Sequence, residues 1–536
     1  MKQLFCFFPV SLMFVVSCGT SHPYRIANPM DLEEAAGAPS ITRVVDLGHA
    51  EIPTAGDVSL NGSDQKVLTG ELLFIEGRHF GRGPSVSVGG QPAVVAARTQ
   101  NGGILLRVPM GVPEGRQSVV VSTHKGVASS TSLEFLRFGA ASLPGTKKIV
   151  LLQSPNYKEV ASIETPAEVG GLVFAAHRPL LYAVTQTPDD CHNKVSRPEC
   201  TPELLTIELA QPGYPIIQRQ KLVSGTLLRF SVARFMNHAL VATSQGMQVI
   251  NLEYRTPIVH QAMLWNTKEV LEAVISPDGK SAVALLRDNR VIPYDISLPD
   301  VPKQGAMLEL LPEEKAPLVK AMTFFATRTV QTLYVAVGDT PESLVVGWHP
   351  SYLLKLELQS AADRTQDPVL TLQSTLPLPQ DQVTPVQLYV SPLGATEAED
   401  TQRTEWTHFL FFSMLYGDFM SLASQPLTTP SGLQMGVELI DKIKTVGFLS
   451  RMDFRQNFRT FFSEPAIFGA LSTTHTGKDM LSICCIPHTS KEEVTFECGL
   501  HHVNLQTGKG VFSPAGTLTK DRFRPPFRFG AIAVQE

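Results

Sequence analysis

VLEAVISPDGKSAVALLRDNRVIPYDISLPDVP, residues 270–302, decides how most of this chain is built. An apolar run enters Ser276-Pro277-Asp278-Gly279-Lys280, and a second apolar run leaves it. Proline presets φ, aspartate bonds its own backbone two residues on, and glycine takes positive φ without steric cost. These five residues therefore predict a tight hairpin turn between two antiparallel strands. A further short apolar run and a polar connection close the unit.

The same order recurs along the chain. Upstream lies LRFSVARFMNHALVATSQGMQVINLEYRTPIVHQ (228–261), and before it EVGGLVFAAHRPLLYAVTQ (168–186), which resumes as ELLTIEL (203–209). Later copies are longer: MTFFATRTVQTLYVAVGD with YLLKLEL, PVQLYVSP with THFLFFSML, and IFGALSTTHTGKDMLSICCI with LHHVNLQTGKGVF. Repetition at this period is the mark of a repeat architecture. Each unit resembles one four-stranded blade of a β-propeller of the YVTN/WD40-like kind, and Ser276–Lys280 carries that resemblance most sharply. Thr476-Gly477-Lys478-Asp479 holds the same place in the last copy. KKIVLLQSPNYKEVASIE (147–164) supplies outer strands of a further blade, whose inner strand is expected from FGAIAV (529–534). Joining the chain ends in one blade would close the ring and remove exposed edges. The expectation for residues 140–536 is thus a propeller of about seven blades, with a pair of β-sandwiches as the alternative.

The N-terminus, MKQLFCFFPVSLMFVVSC, has a basic head and about a dozen apolar residues. That run is too short for a bilayer, which needs about 20, and suits a signal-peptide core. Val15-Val16-Ser17-Cys18 resembles the lipobox of bacterial lipoproteins. The resemblance implies removal of residues 1–17 as signal peptide and lipidation of Cys18, with the membrane as partner through that anchor. Gly19 in place of aspartate implies, by the same resemblance, a lipoprotein of the bacterial cell envelope forwarded to the outer membrane. Residues 18–38 are expected to be a lipidated flexible tether, because they lack periodicity and large apolar groups.

From 39 to 138 the pattern is again all-β. Val86 and Val88 alternate with Ser85 and Ser87, Gly89-Gly90 supplies a hairpin turn, and a further turn falls at Lys125-Gly126. GRHFG, VSVGG, RVPMGVPEG and the closing SLEF resemble an IPT/TIG domain, an immunoglobulin-like sandwich. His79 stands where that family usually has asparagine, in a turn that needs the left-handed conformation. The resemblance implies a spacer or adhesion module without catalysis of its own. The fold class expected overall is all-β, an immunoglobulin-like β-sandwich followed by a β-propeller.

A net charge of −5 gives no basic footprint, which argues against nucleic acid as partner. Cys191, Cys200, Cys484, Cys485 and Cys498 would lie in an oxidising compartment, where disulfides persist. Cys191 and Cys200 flank a polar excursion and predict a loop-closing disulfide; a metal site with His192 would lack the four ligands zinc needs. Cys498 is expected to pair across strands with Cys484 or Cys485, leaving one thiol over. His501-His502 lie on one strand and so face opposite sides. Asp189-Asp190 and Glu397, Glu399 and Asp400 form acidic runs without the fixed offsets of a calcium loop. No phosphate loop, GxSxG elbow or HExxH motif occurs, and no cofactor or metal is expected. Arg522, Arg524 and Arg528 alternate with aromatics and form a possible binding rim. The function expected is a non-enzymatic binding or scaffold protein whose propeller engages an envelope protein or polysaccharide. The alternative is a propeller hydrolase or lyase with its site in the central channel, although the inner strands read as mostly apolar.

Overall fold

A computed structural model of the chain describes residues 25–28, 30, 32–48, 66–188, 191, 197–233, 237–267, 269–311, 318–324, 331–339, 352–359, 366–377, 383–390, 407–416, 432–439, 467–473, 479–489, 494–504, 509–519 and 530–535. The chain divides into two compact units, one of residues 1–136 with 176–179, the other of 137–175 with 180–536.

The smaller unit consists of two sheets facing one another. One runs in the order Ser40–Asp46, Leu72–Arg78, Ile104–Arg107, Val95–Arg98; the other runs Lys66–Val67, Gly126–Phe135, Gly115–Thr123, Ser85–Val88, Gln91–Ala93. Leu73, Ile75, Ile104 and Leu106 from the first meet Val86, Val88, Val119, Val121 and Leu133 from the second in one core. Full burial of such a side chain contributes roughly 1.5–3 kcal/mol. The alternation seen at Ser85–Val88 is the cause: every second residue points inward. Gly89 and Gly90 both take positive φ, and Val88 pairs with Gln91 across a two-residue turn. His79 has φ of 60°, the left-handed conformation its turn requires.

The expected tether over 18–38 needs correction. Ile26 bridges Thr99, the Ala27 amide donates to the Arg98 carbonyl at 2.8 Å, and Ala27, Leu32 and Ala35 are buried. The first sheet is apolar on its outer face as well, through Leu72, Phe74 and Leu105, and Ile26 and Leu47 cover that face. Covering it outweighs the ordering of a segment with only small and medium apolar groups. Any free leash therefore ends before Arg25.

The larger unit carries, among the described residues, seven antiparallel sheets. The first is ordered Lys158–Glu164, Lys148–Gln153, Phe138–Ser142, Ala531–Val534, so its last strand comes from the far end of the chain. The next four open with Val169–Phe174, Leu227–Ala233, Val270–Ile275 and Leu318–Phe324, and the last two with Val383–Val390 and Ile467–Thr473. These opening strands touch in succession, each the next, and the ring is completed by Ala531–Val534 between Ile467–Thr473 and Val169–Phe174. Sheets arranged radially with one strand of each at the centre form a β-propeller, not two stacked sandwiches. Second strands such as Leu180–Thr185 and Ser281–Leu286 are buried at every position, because they are enclosed on both faces by neighbouring sheets.

The turn at 276–280 forms as its sequence predicts. Ser276 and Ser281 are joined by a backbone bond, and the Gly279 amide donates to the Ser276 carbonyl at 2.9 Å with glycine φ at 71°. Asp278 Oδ1 accepts from the Ser276 hydroxyl at 2.6 Å and the Lys280 amide at 3.1 Å. Its other oxygen accepts at 2.5 Å from Nε2 of Gln331, the residue leading into the strand Thr332–Asp339 of the next sheet. The corresponding turn at 476–479 lies outside the described residues, except that Asp479 opens a strand.

Candidate functional site

The central wall of the larger unit is the place where strands from different sheets bring chemistry together. In three consecutive sheets the opening strand slips register by one residue at the same point. Val169 faces Thr185 but Gly171 faces Val184; Leu227 faces Thr243 but Arg229 faces Ala242; Val270 faces Leu286 but Glu272 faces Leu285. An extra residue in one strand bends it and re-aims the next side chain. Gly171, Arg229 and Glu272 thus hold equivalent places on adjacent inner strands.

Arg229 Nη1 lies 3.0 Å from Glu272 Oε1, with the two side chains 27% and 4% exposed. Guanidinium and carboxylate attract each other through their charges at this distance. A nearly buried carboxylate needs such a partner, since an unpaired one is costly to desolvate. At the third equivalent position glycine is required, because a Cβ on Gly171 would approach Phe230 Cβ to 2.5 Å. The pair therefore ties two inner strands together, with the cation half-buried and the anion enclosed where the strands meet. Arg229, the more exposed of the two, is the group of the pair that can meet a polar ligand. Reading the sequence alone misses it. The signal is a single charge two residues into each apolar inner run, in LLRFSVARF and VLEAVISPDG.

Cys191 and Cys200 are bonded to each other, with Cα atoms 5.2 Å apart. The excursion they close is held from below: the Gly225 amide donates to the Cys200 carbonyl at 2.8 Å, and the Thr201 and Ser224 hydroxyls lie 2.8 Å apart. Both sulfurs are consumed, which removes them as ligands for a metal with His192. Cys485 pairs with Cys498 in register and is disulfide-bonded to it. Cys484 falls opposite Gly499, which settles the choice between the vicinal pair.

His501 is buried, and burial, followed by the neighbouring His502 charge, lowers its pKa to about 4. His502 packs edge-on against Tyr157 with ring centroids 5.2 Å apart. The two histidines do not converge on one site. Among the described residues, no group of three His, Cys, Asp or Glu could hold a metal ion, and no helix is long and apolar enough to cross a membrane. Cys18, Asp189, Asp190, His192, Glu397, Glu399, Asp400 and the rim candidates Arg522, Arg524 and Arg528 lie outside the described residues.

No family model matches the chain, and no curated protein matches it. Solved structures do. A functionally unknown protein from Desulfotomaculum acetoxidans is 12% identical with a TM-score of 0.41, covering 74% of this chain and 98% of its own. The Cps50 (Swd1) beta-propeller domain of Myceliophteria thermophila is 7% identical with a TM-score of 0.38, covering 69% and 91%. Dihydro-heme d1 dehydrogenase NirN, in complex with DHE, is 10% identical with a TM-score of 0.37, covering 71% and 75%. These scores lie below one half, and the fold rests on the sheet order and ring of contacts described above.

Proposed function

We propose that this chain is an exported lipoprotein of the bacterial cell envelope, anchored through Cys18 and forwarded to the outer membrane. In this reading its propeller is a non-enzymatic binding or scaffold surface for an envelope protein or polysaccharide. The observation that carries export is the pair of closed disulfides, Cys191–Cys200 and Cys485–Cys498. Such bonds persist in oxidising compartments and are rare in the cytosol, and the greasy leader ahead of Cys18 gives the route. The two-sheet unit is read as an immunoglobulin-like IPT/TIG module, supported by the left-handed His79 in that family's turn. The seven sheets are read as seven blades, supported by the succession of inner-strand contacts. Loops gathered at the ends of a rigid ring make a broad binding surface.

Growth with a labelled fatty acid, followed by fractionation, tests the anchor: label should enter the wild-type protein and vanish in Cys18→Ala. Label absent from the wild type, or protein recovered from the cytosol, defeats the reading. Affinity capture from native envelope tests the binding role. The second reading, a hydrolase or lyase working in the central channel, draws on the Arg229–Glu272 pair. It requires turnover of some envelope polymer that Glu272→Gln abolishes while the melting profile stays intact.

A further inference from the structure

We infer that the end of the smaller unit built from Arg25, Met30 and Arg82 rests on the headgroup surface of the membrane that holds the Cys18 lipid. This rests on the lipidation reading above and adds a defined contact face to it.

Reach is the first constraint. The chain is docked onto the first sheet from Arg25 onward: the Gln100 amide donates to the Arg25 carbonyl at 2.8 Å and Ile26 bridges Thr99. Only residues 19–24 separate that point from the anchoring cysteine. A fully extended chain covers about 3.3–3.6 Å per residue, so Arg25 stays within about 25 Å of the lipidated sulfur. The headgroup layer itself takes up roughly 5–8 Å of that span. A unit of about 100 residues has a radius of gyration near 13 Å, so the roughly 17–20 Å of leash left cannot lift its docked end clear by more than about half its width.

The surface around that point suits the occupant. Arg82 donates through Nε to the Leu32 carbonyl and through Nη2 to the Met30 carbonyl at 3.4 Å, which holds the docked segment beside the 79–82 turn. Arg25, Asn28, Arg82, Gln100 and Asn101 are exposed around it, and Met30 projects with 79% of its surface open. Methionine is a long, adaptable apolar chain, and arginine can lay its stem on an apolar layer while its head stays wet. Asp31, Glu33 and Glu34 follow closely in sequence, so the face is no polybasic patch. The leash, and not charge, then sets the contact, and salt has little effect on it.

The test uses the full-length acylated protein in vesicles of phosphatidylethanolamine and phosphatidylglycerol. Met30→Cys, in a Cys484→Ser background, is labelled with a fluorophore and read against a headgroup-borne nitroxide quencher. At least about twofold quenching is expected, unchanged near 0.5 M NaCl, where the Debye length is only a few ångströms. Inserting about 20 Gly/Ser residues between Thr20 and Ser21 adds on the order of 25 Å of root-mean-square reach and should relieve most of the quenching. Acylated protein whose probe is unquenched, or whose quenching ignores the insertion, overturns this inference and leaves lipidation standing. Protein that mass spectrometry finds unacylated overturns both.

Discussion

Ala140 stands opposite Ala533 in antiparallel register, so one sheet of the larger unit contains strands from both of its ends. Gly139, Ala141 and Ser142 continue the pairing with Val534, Ile532 and Ala531. Beyond the strand, the Gln535 amide donates to the Phe138 carbonyl at 2.9 Å, and Gln535 Oε1 accepts from the Phe138 amide at 3.2 Å. Ile532 and Val534 pack on the cluster of Ala141, Leu152, Tyr157 and Leu481. Ending the chain after Phe529 removes the last strand of that sheet, the one at the centre of the ring, and opens the ring. Stability should fall by about 4 kcal/mol or more, in the range of losing several buried apolar groups at once. Gln535→Ala removes a side-chain acceptor alone and should cost about 1 kcal/mol. Urea unfolding midpoints separate the two; equal midpoints would show that the terminal strand is not what closes the ring.

The Cys485–Cys498 bond joins directly opposed residues of two antiparallel strands, with Cα atoms 4.0 Å apart. It closes a short loop, with a sequence separation of 13. Cys485→Ser should therefore lower stability by about 3 kcal/mol on the loop-entropy view. Cys484→Ser should leave that bond formed. With Cys191 and Cys200 also paired, maleimide mass-tagging of denatured, unreduced mature protein should add one label, and none in Cys484→Ser. Two or more labels on the wild type would contradict this pairing.

What the sequence disclosed follows from range. Ser276–Lys280 was readable because turn chemistry is local: Pro, Asp and Gly act on their own backbone. Ring closure by FGAIAV was readable as an apolar segment left without a partner. The choice of Cys485 over Cys484 was not readable, because it depends on the exact register between Asp479–Thr489 and Val494–Asn504, which puts Cys485 opposite Cys498. A one-residue slip exchanges the faces of a strand, and nothing local announces it. Arg229 and Glu272 were hidden for the same reason, since their meeting needs both bulges and the angle between adjacent sheets. The docking of residues 25–38 was missed because Leu72 and Phe74 look like ordinary strand residues until the outer face of their sheet proves to need a cover.

Arg98 fixes the loops of the smaller unit by donating to three backbone carbonyls. Its Nε donates to the Gly103 carbonyl at 3.1 Å, Nη1 to Gly81 at 2.6 Å and Nη2 to Gly102 at 2.7 Å. Burial lowers its pKa to about 10, which still leaves it charged at neutral pH. Only a planar fork reaches three carbonyls in different directions. Arg98→Lys keeps the charge but can serve fewer of them, and Arg98→Leu removes the donor at all three, leaving Gly103 with the Thr99 amide at 3.0 Å. Losses of about 1 and about 3 kcal/mol are expected, from half-buried acceptors left without their donor and the packing lost with the side chain. Differential scanning calorimetry should place the change in the transition of the smaller unit; a Lys variant that melts like wild type would mean the fork geometry is immaterial.

His501 gives the larger unit an acid-sensitive core. Its side chain lies on Val494–Asn504 with 4% of the residue exposed, and its pKa falls to about 4 through burial first and the nearby His502 second. An unfolded histidine titrates near 6.5. Between those two values the unfolded chain binds a proton that the folded chain does not, so folding stability rises with pH across that window. Above about pH 6.5 both states are neutral there and the dependence from this residue vanishes; below about pH 4 both are charged and the loss is complete. The full effect is on the order of 3 kcal/mol, at about 1.4 kcal/mol for each pH unit separating the folded and unfolded values. Urea titrations at intervals from pH 4 to pH 7 should show the slope in wild type. His501→Gln should flatten that slope even though its stability at pH 7 is lower, and an unchanged slope in the variant would assign the acid sensitivity elsewhere.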